Sequence, residues 1–131
     1  MSRFVGDGLV RNFIGGEWVE GDGGRRIAVE EPGNGMHVAD CALAGEASLD
    51  RALAAARTSF ERGDLAGMKP GARAALMMRI AQKIREIAEE GAELLCRESG
   101  KTLAASHEEF EEAAQYFEYY GGAADKIEGK S

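Results

Sequence analysis

The chain has 131 residues and a mass of 14.0 kDa, with 16 lysines and arginines against 23 aspartates and glutamates and a formal charge of −7. An acidic chain without a basic cluster interleaved with aromatics is not built for nucleic acid or for an anionic membrane surface. No apolar run approaches the ~18–20 residues of a membrane span, the first seven residues lack the apolar core of a secretory signal, and Cys41 and Cys96 lack C-x-x-C spacing. A cytoplasmic protein with two free thiols is the expectation.

In chain order, residues 1–11 read as a loose amino terminus. Asn12-Phe-Ile-Gly-Gly-Glu-Trp-Val19 sets aromatic and β-branched residues around a Gly-Gly step, the pattern of two short strands and a tight turn. Glu20 to Arg25 is a flexible loop. Arg26 to Glu31 and Met36 to Leu43 are strands, and Pro32-Gly-Asn-Gly35 between them closes a β-hairpin. Ser48 suits an N-cap, after which Leu49, Ala52, Leu53, Ala56 and Phe60 keep helical spacing over 48–62 until Gly63 ends the pattern.

Pro70 fits the first position of a second helix, predicted to run over 70–99, with Leu76, Ile80, Ile84, Ile87, Leu94 and Leu95 on one stripe and Gly100 as its stop. A third helix spans 103–127. Ser106-His-Glu-Glu109 has the form of a capping box, although Leu103 and Ala104 favour a start one turn earlier. Its apolar face is Phe110, Ala113, Ala114, Phe117, Gly121 and Ala124. The order is strands first and three helices after, with no internal repeat or linker within 12–131, and with no long parallel strand for the helices to pack on.

Three motifs give this order a family likeness. They are Gly63 to Ile84, with Met68, Pro70 and Arg73 ahead of the helix; Glu98-Ser-Gly-Lys101; and Phe117-Glu-Tyr-Tyr-Gly-Gly-Ala-Ala-Asp-Lys126. Their sequence resembles the amino-terminal part of the aldehyde dehydrogenase superfamily over Asn12 to Ser131. The resemblance implies an α/β fold in which these strands and helices form the outer part of a cofactor domain, without the Rossmann sheet itself.

The same resemblance implies thiolate attack on an aldehyde, hydride transfer to NAD or NADP and hydrolysis of the thioester to a carboxylate. The nucleophilic cysteine, general-base glutamate and dinucleotide fold are then expected on a larger aldehyde dehydrogenase-like subunit, and this chain is expected to be a non-catalytic small subunit or amino-terminal portion of it. The alternative is a free-standing interaction or regulatory module that kept the fold without the enzyme.

The sequence holds none of the usual catalytic sets, in keeping with a non-catalytic role. Neither G-x-G-x-x-G nor a P-loop is present, neither cysteine has the cation-flanked or helix-N-terminal setting of a reactive thiol, and His37 and His107 stand among surface residues. Glu98 is different. At about 100° per residue it shares the stripe of Ile80 and Leu95, an acid on an apolar face in the last helical turn, where burial and the helix dipole both disfavour it.

A positive partner is therefore expected for Glu98. One choice is Lys101 or an arginine. The other, implied by the resemblance, is Na⁺ or K⁺ shared with the carbonyls of Val29 and Glu30, just before the turn Glu31-Pro-Gly-Asn-Gly35, in which Glu31 replaces the family's usual asparagine.

On the third helix Glu109, Glu112, Tyr116 and Tyr119 share the face opposite Phe110 and Phe117. A solvated acidic face is the plain interpretation. Carboxylates with aromatic faces also suit an ammonium group. The likeness to plant aminoaldehyde and betaine-aldehyde dehydrogenases implies that Glu109, Glu112 and Tyr116 stand at the mouth of an aldehyde tunnel and receive a cationic substrate end.

Overall fold

The computed structural model describes residues 4–129, so the first three residues of the expected loose terminus and the last two of the chain lie outside the described residues. Among the described residues there are five strands and four helices, which group into two compact units. The first unit runs to Asp64 and includes Arg97–Gly100; the second is Leu65–Cys96 with the chain from Lys101 onward.

In the first unit, β1 (Leu9–Val10), β5 (His37–Ala42) and β4 (Arg26–Glu30) form one sheet in the order β1-β5-β4. The expected β4–β5 hairpin is present. Its turn is closed by the Glu31 amide donating to the Met36 carbonyl at 2.8 Å and by the Asn34 side-chain oxygen accepting from the Met36 amide at 2.7 Å. The pairing skips one residue of β5 between Val29↔Ala39 and Glu30↔His37, a bulge at the turn end of the ladder.

Strand β1 lies inside the stretch that sequence alone leaves loose. It pairs in parallel with β5, Leu9 opposite Asp40, and Leu9 is buried. Parallel pairing joins segments far apart in sequence, so no local turn signal announces it.

Strands β2 (Asn12–Ile14) and β3 (Glu17–Val19) make the other expected hairpin, turned by Gly15 and Gly16 with φ of 64° and 93°, which is why two glycines stand there. Phe13 and Trp18 pair across it with ring centroids 4.9 Å apart. Arg11 reaches Asp7 at 2.8 Å and Glu20 at 3.1 Å, and Glu20 in turn accepts from Arg26 at 3.2 Å, which links the segments flanking β1 and β3 to β4 at the surface.

Helix α1 (Glu46–Arg62) starts two residues before the expected N-cap. Ser48 is inside the first turn and buried; its amide donates to the Asp22 side chain at 2.8 Å, and its hydroxyl bonds the same oxygen. The cap is thus remote in sequence. Asp22 satisfies an orphan amide and places a negative charge at the positive helix end, while Gly45 at the N-cap supplies no side chain. Gly63 ends the helix in the left-handed region at φ 69°, as its sequence position predicts.

In the second unit the single helix expected over 70–99 is two, making four helices rather than three. Helix α2 (Pro70–Glu86) stops at Ile87 and α3 (Ala88–Ser99) begins at once. Ile87 has φ −108° and ψ −1°, and its amide turns back to Ile84 in a tighter, 3₁₀-type bond at 3.2 Å. No glycine or proline marks this break. The new direction buries Gly91 and Ala92 of α3, with Gly91 against the Phe110 ring.

Helix α4 spans Leu103–Ala123, shorter at its end than the expected 127. Thr102 is its cap, the hydroxyl oxygen accepting from the Ala105 amide at 3.2 Å; Ser106 is fully buried and donates to the Thr102 carbonyl at 3.1 Å. The earlier start is therefore the one realised. Helices α2 and α4 pack along each other, and at Gly121 an added Cβ would stand 3.2 Å from Met77 Cβ. Arg85 of α2 reaches Glu111 at 2.8 Å and Glu118 two turns on.

Candidate functional site

A helix places residues three and four apart on one face, so Glu112, Gln115, Tyr116, Tyr119 and Tyr120 of α4 converge. They line an open concavity of about 440 Å³. Tyr119 and Tyr120 meet edge to face, centroids 5.2 Å apart at 89°. All three tyrosines are exposed, at 65%, 72% and 58%. Among the described residues Glu112 makes no ion pair or side-chain hydrogen bond.

The two acids singled out in the sequence differ in setting. Glu109 is ion-paired with Lys101 and does not line the concavity, whereas Glu112 does. Lys101 is itself held in place: the Cys96 thiol donates to its carbonyl at 3.1 Å and the next residue, Thr102, caps α4. Helical spacing identifies Tyr116 and Tyr119. It also contains Gln115 and Tyr120, which lie within the same arc.

Glu98 does not occupy a buried stripe. The break at Ile87 resets the helical phase, and Glu98 is exposed in the last turn of α3. Lys101 pairs with Glu109, and among the described residues Glu98 has no basic partner. The neighbouring Arg97 pairs with Glu31 of the β4–β5 turn, which also accepts from the Asn34 amide group at 2.7 Å. Arg97 first, and Asn34 second, hold the Glu31 carboxyl below the usual carboxylate range. Gly100 follows with φ 74°, 3.4 Å from Pro32 Cβ at the position of an added methyl. Val29 and Glu30 belong to the same unit as Glu98, at the end of β4.

The remaining candidates have structural surroundings. Cys41 lies in β5 and Cys96 in α3, both half-buried and unlinked. His37 contacts Asp40 at 3.0 Å and His107 lies 3.8 Å from Glu89. A second concavity, of about 660 Å³, lies between the β2–β3 turn and α1, walled by small residues such as Gly15, Gly16, Ala52 and Ala56 and carrying no acid or thiol. Among the described residues no group of three or more His, Cys, Asp or Glu side chains is placed to hold a metal, and no helix is long and apolar enough to cross a membrane.

The aldehyde dehydrogenase family model matches residues 18–131. A betaine aldehyde dehydrogenase of Bacillus subtilis is 34% identical over 118 residues, which is 90% of this chain and 24% of the relative. An aminoaldehyde dehydrogenase of Zea mays is 36% identical over 121 residues, again 90% of this chain and 24% of the relative. A crystal structure of a betaine aldehyde dehydrogenase from Staphylococcus aureus with NAD⁺ superimposes with a TM-score of 0.88 at 30% identity, covering 99% of this chain and 26% of that one. The chain thus spans about a quarter of the length of the relatives it matches.

Proposed function

Because the chain belongs to the aldehyde dehydrogenase family, we propose that it supplies the amino-terminal portion of an NAD(P)⁺-dependent enzyme oxidising an aldehyde with a cationic tail to its carboxylate. The nucleophile, the general base and the dinucleotide site come from the polypeptide that completes the fold, either as a larger subunit or in one continuous chain. When bound, the nicotinamide accepts the hydride. The residues of this chain bind and orient substrate.

The observation that carries the substrate class is the Glu112 carboxylate, without a counter-ion among the described residues, beside three exposed tyrosine rings. A cation over an aromatic face gains from the ring quadrupole and from the nearby carboxylate. Betaine aldehyde and aminoaldehydes, the substrates in the names of two relatives, carry such a charge.

A completing polypeptide is supported by the outer side of α1, where Leu49, Leu53 and Phe60 recur at helical spacing with exposures of 55%, 60% and 78%. Apolar rows left in water are association surfaces. The carbonyls of Val29 and Glu30 with the Glu98 carboxylate would give an all-oxygen donor set, the chemistry a hard cation takes, and Na⁺ or K⁺ is the ion proposed for it. The test is to produce the chain with an aldehyde dehydrogenase-like polypeptide lacking these residues. Co-purification should accompany NAD(P)H formation that favours an aminoaldehyde over a neutral aldehyde of equal length. A monodisperse monomer that ignores such a polypeptide would instead support a free-standing interaction module.

A further inference from the structure

We propose that Lys101 is a positioning residue that sets the charge of the tyrosine-lined concavity, by tying up Glu109 and leaving Glu112 as its one available carboxylate. The inference rests on the reading of that concavity as a cation site. Glu109 lies outside the lining but one helical turn from Glu112, so without a counter-ion its charge would add to that of Glu112 and an incoming ligand would meet a local charge of −2. The Lys101–Glu109 pair reduces this to −1. Such a face matches a single ammonium group and disfavours a compact dication.

The lysine is placed for this by its backbone. The Cys96 thiol holds its carbonyl at the end of α3, and Thr102 starts α4 immediately after, so the side chain lies back along the first two turns of α4 to Glu109. Arginine at the same position retains the pair. Methionine retains the stem and releases Glu109.

The experiment uses the full chain, with the tyrosine and glutamate resonances followed by NMR during titration with tetramethylammonium chloride and, separately, with putrescine, a dication. Wild type should bind both weakly. Glu112→Gln should lower both affinities, and Glu109→Gln should lower both as well, because it leaves Lys101 as an uncompensated positive charge beside the concavity. Lys101→Met should raise putrescine affinity roughly two- to five-fold and tetramethylammonium affinity less, with Lys101→Arg at the wild-type level.

Adding Glu109→Gln to Lys101→Met should cancel the gain. Persistence of the gain in that double variant would show that only a positive charge had been removed, and would overturn the proposal. Binding that depends on Glu112 but is indifferent to Lys101→Met overturns the role of Lys101 while leaving the cation site intact. Absence of any cation-dependent shift overturns both. Should Lys101→Met not fold, Lys101→Gln takes its place, and putrescine affinity unchanged from wild type in that variant overturns the role of Lys101.

Discussion

Phe110 of α4 lays the end of its ring against the bare backbone of Gly91 in α3, so close that a Cβ built on Gly91 would stand 2.6 Å from Phe110 Cε1. Real Cβ atoms do not approach that near, and the absence of a side chain at Gly91 is what lets α3 and α4 meet. Gly91→Ala should therefore destabilise by about 1–3 kcal/mol, overpacking exceeding the roughly 1 kcal/mol that alanine gains in a helix. Gly91→Ala combined with Phe110→Leu should recover part of the loss in a denaturant melt. A stabilised single variant would contradict the packing.

Arg85 holds the carboxyls of Glu111 and Glu118 below their usual value of 4.5, its hydrogen bonds being the first cause in each case. A depressed carboxyl in the fold means that the unfolded chain takes up protons first as pH falls. The stabilisation is present above pH 4.5 and is lost as pH drops through the lower folded values. Thermal melts from pH 6 to pH 3 should fall more steeply for wild type than for Arg85→Gln, and high salt should narrow the difference.

Removing the remote cap of α1 tests whether Asp22 acts by geometry or by charge. Asp22→Asn keeps an acceptor for the Ser48 amide, while Asp22→Ala removes it, so the melting temperature should order wild type, then Asn, then Ala. Equal effects from both variants would assign the whole contribution to charge at the helix end.

In the completed enzyme, Glu112→Gln should raise KM for an aminoaldehyde several-fold, the ~1 kcal/mol of a part-solvated charge, with kcat nearly unchanged. A neutral aldehyde of equal length should show no change. Equal loss on both substrates would return this face of α4 to a solvated surface.

For Glu98, exposure limits what a cation contributes. A modest rise in melting temperature in KCl or NaCl over choline chloride at equal ionic strength is expected, and Glu98→Gln should erase it. A response that survives the substitution places the ion elsewhere.

Signals local to the chain were readable. Gly15-Gly16, the Pro32–Gly35 turn, Pro70, Gly63 and Gly100 each fix the backbone where they stand, and the structure has turns or helix ends there. What escaped depends on partners distant in sequence. Asp22 caps a helix 26 residues away, β1 joins β5 across thirty residues, and Lys101 diverts Glu109. Ile87 is the instructive case: a β-branched residue inside a continuous apolar period breaks the helix, and the phase shift that follows moves Glu98 from the apparent stripe into water.

The division of the chain has a bearing on how it is made. Arg97–Gly100 belong by their contacts to the first unit, through Arg97 on Glu31 and Gly100 beside Pro32, although most of the second unit's α2 and α3 lies between them and Asp64. During synthesis the first unit's strands and α1 are complete long before residue 100 leaves the ribosome, so the β4–β5 turn must wait, its Glu31 charge in water, for a segment that arrives only after α2 and nearly all of α3. No single cut separates the two units cleanly. Cleavage after Asp64 strands the turn without its arginine, and cleavage after Gly100 parts α4 from the helices it packs on.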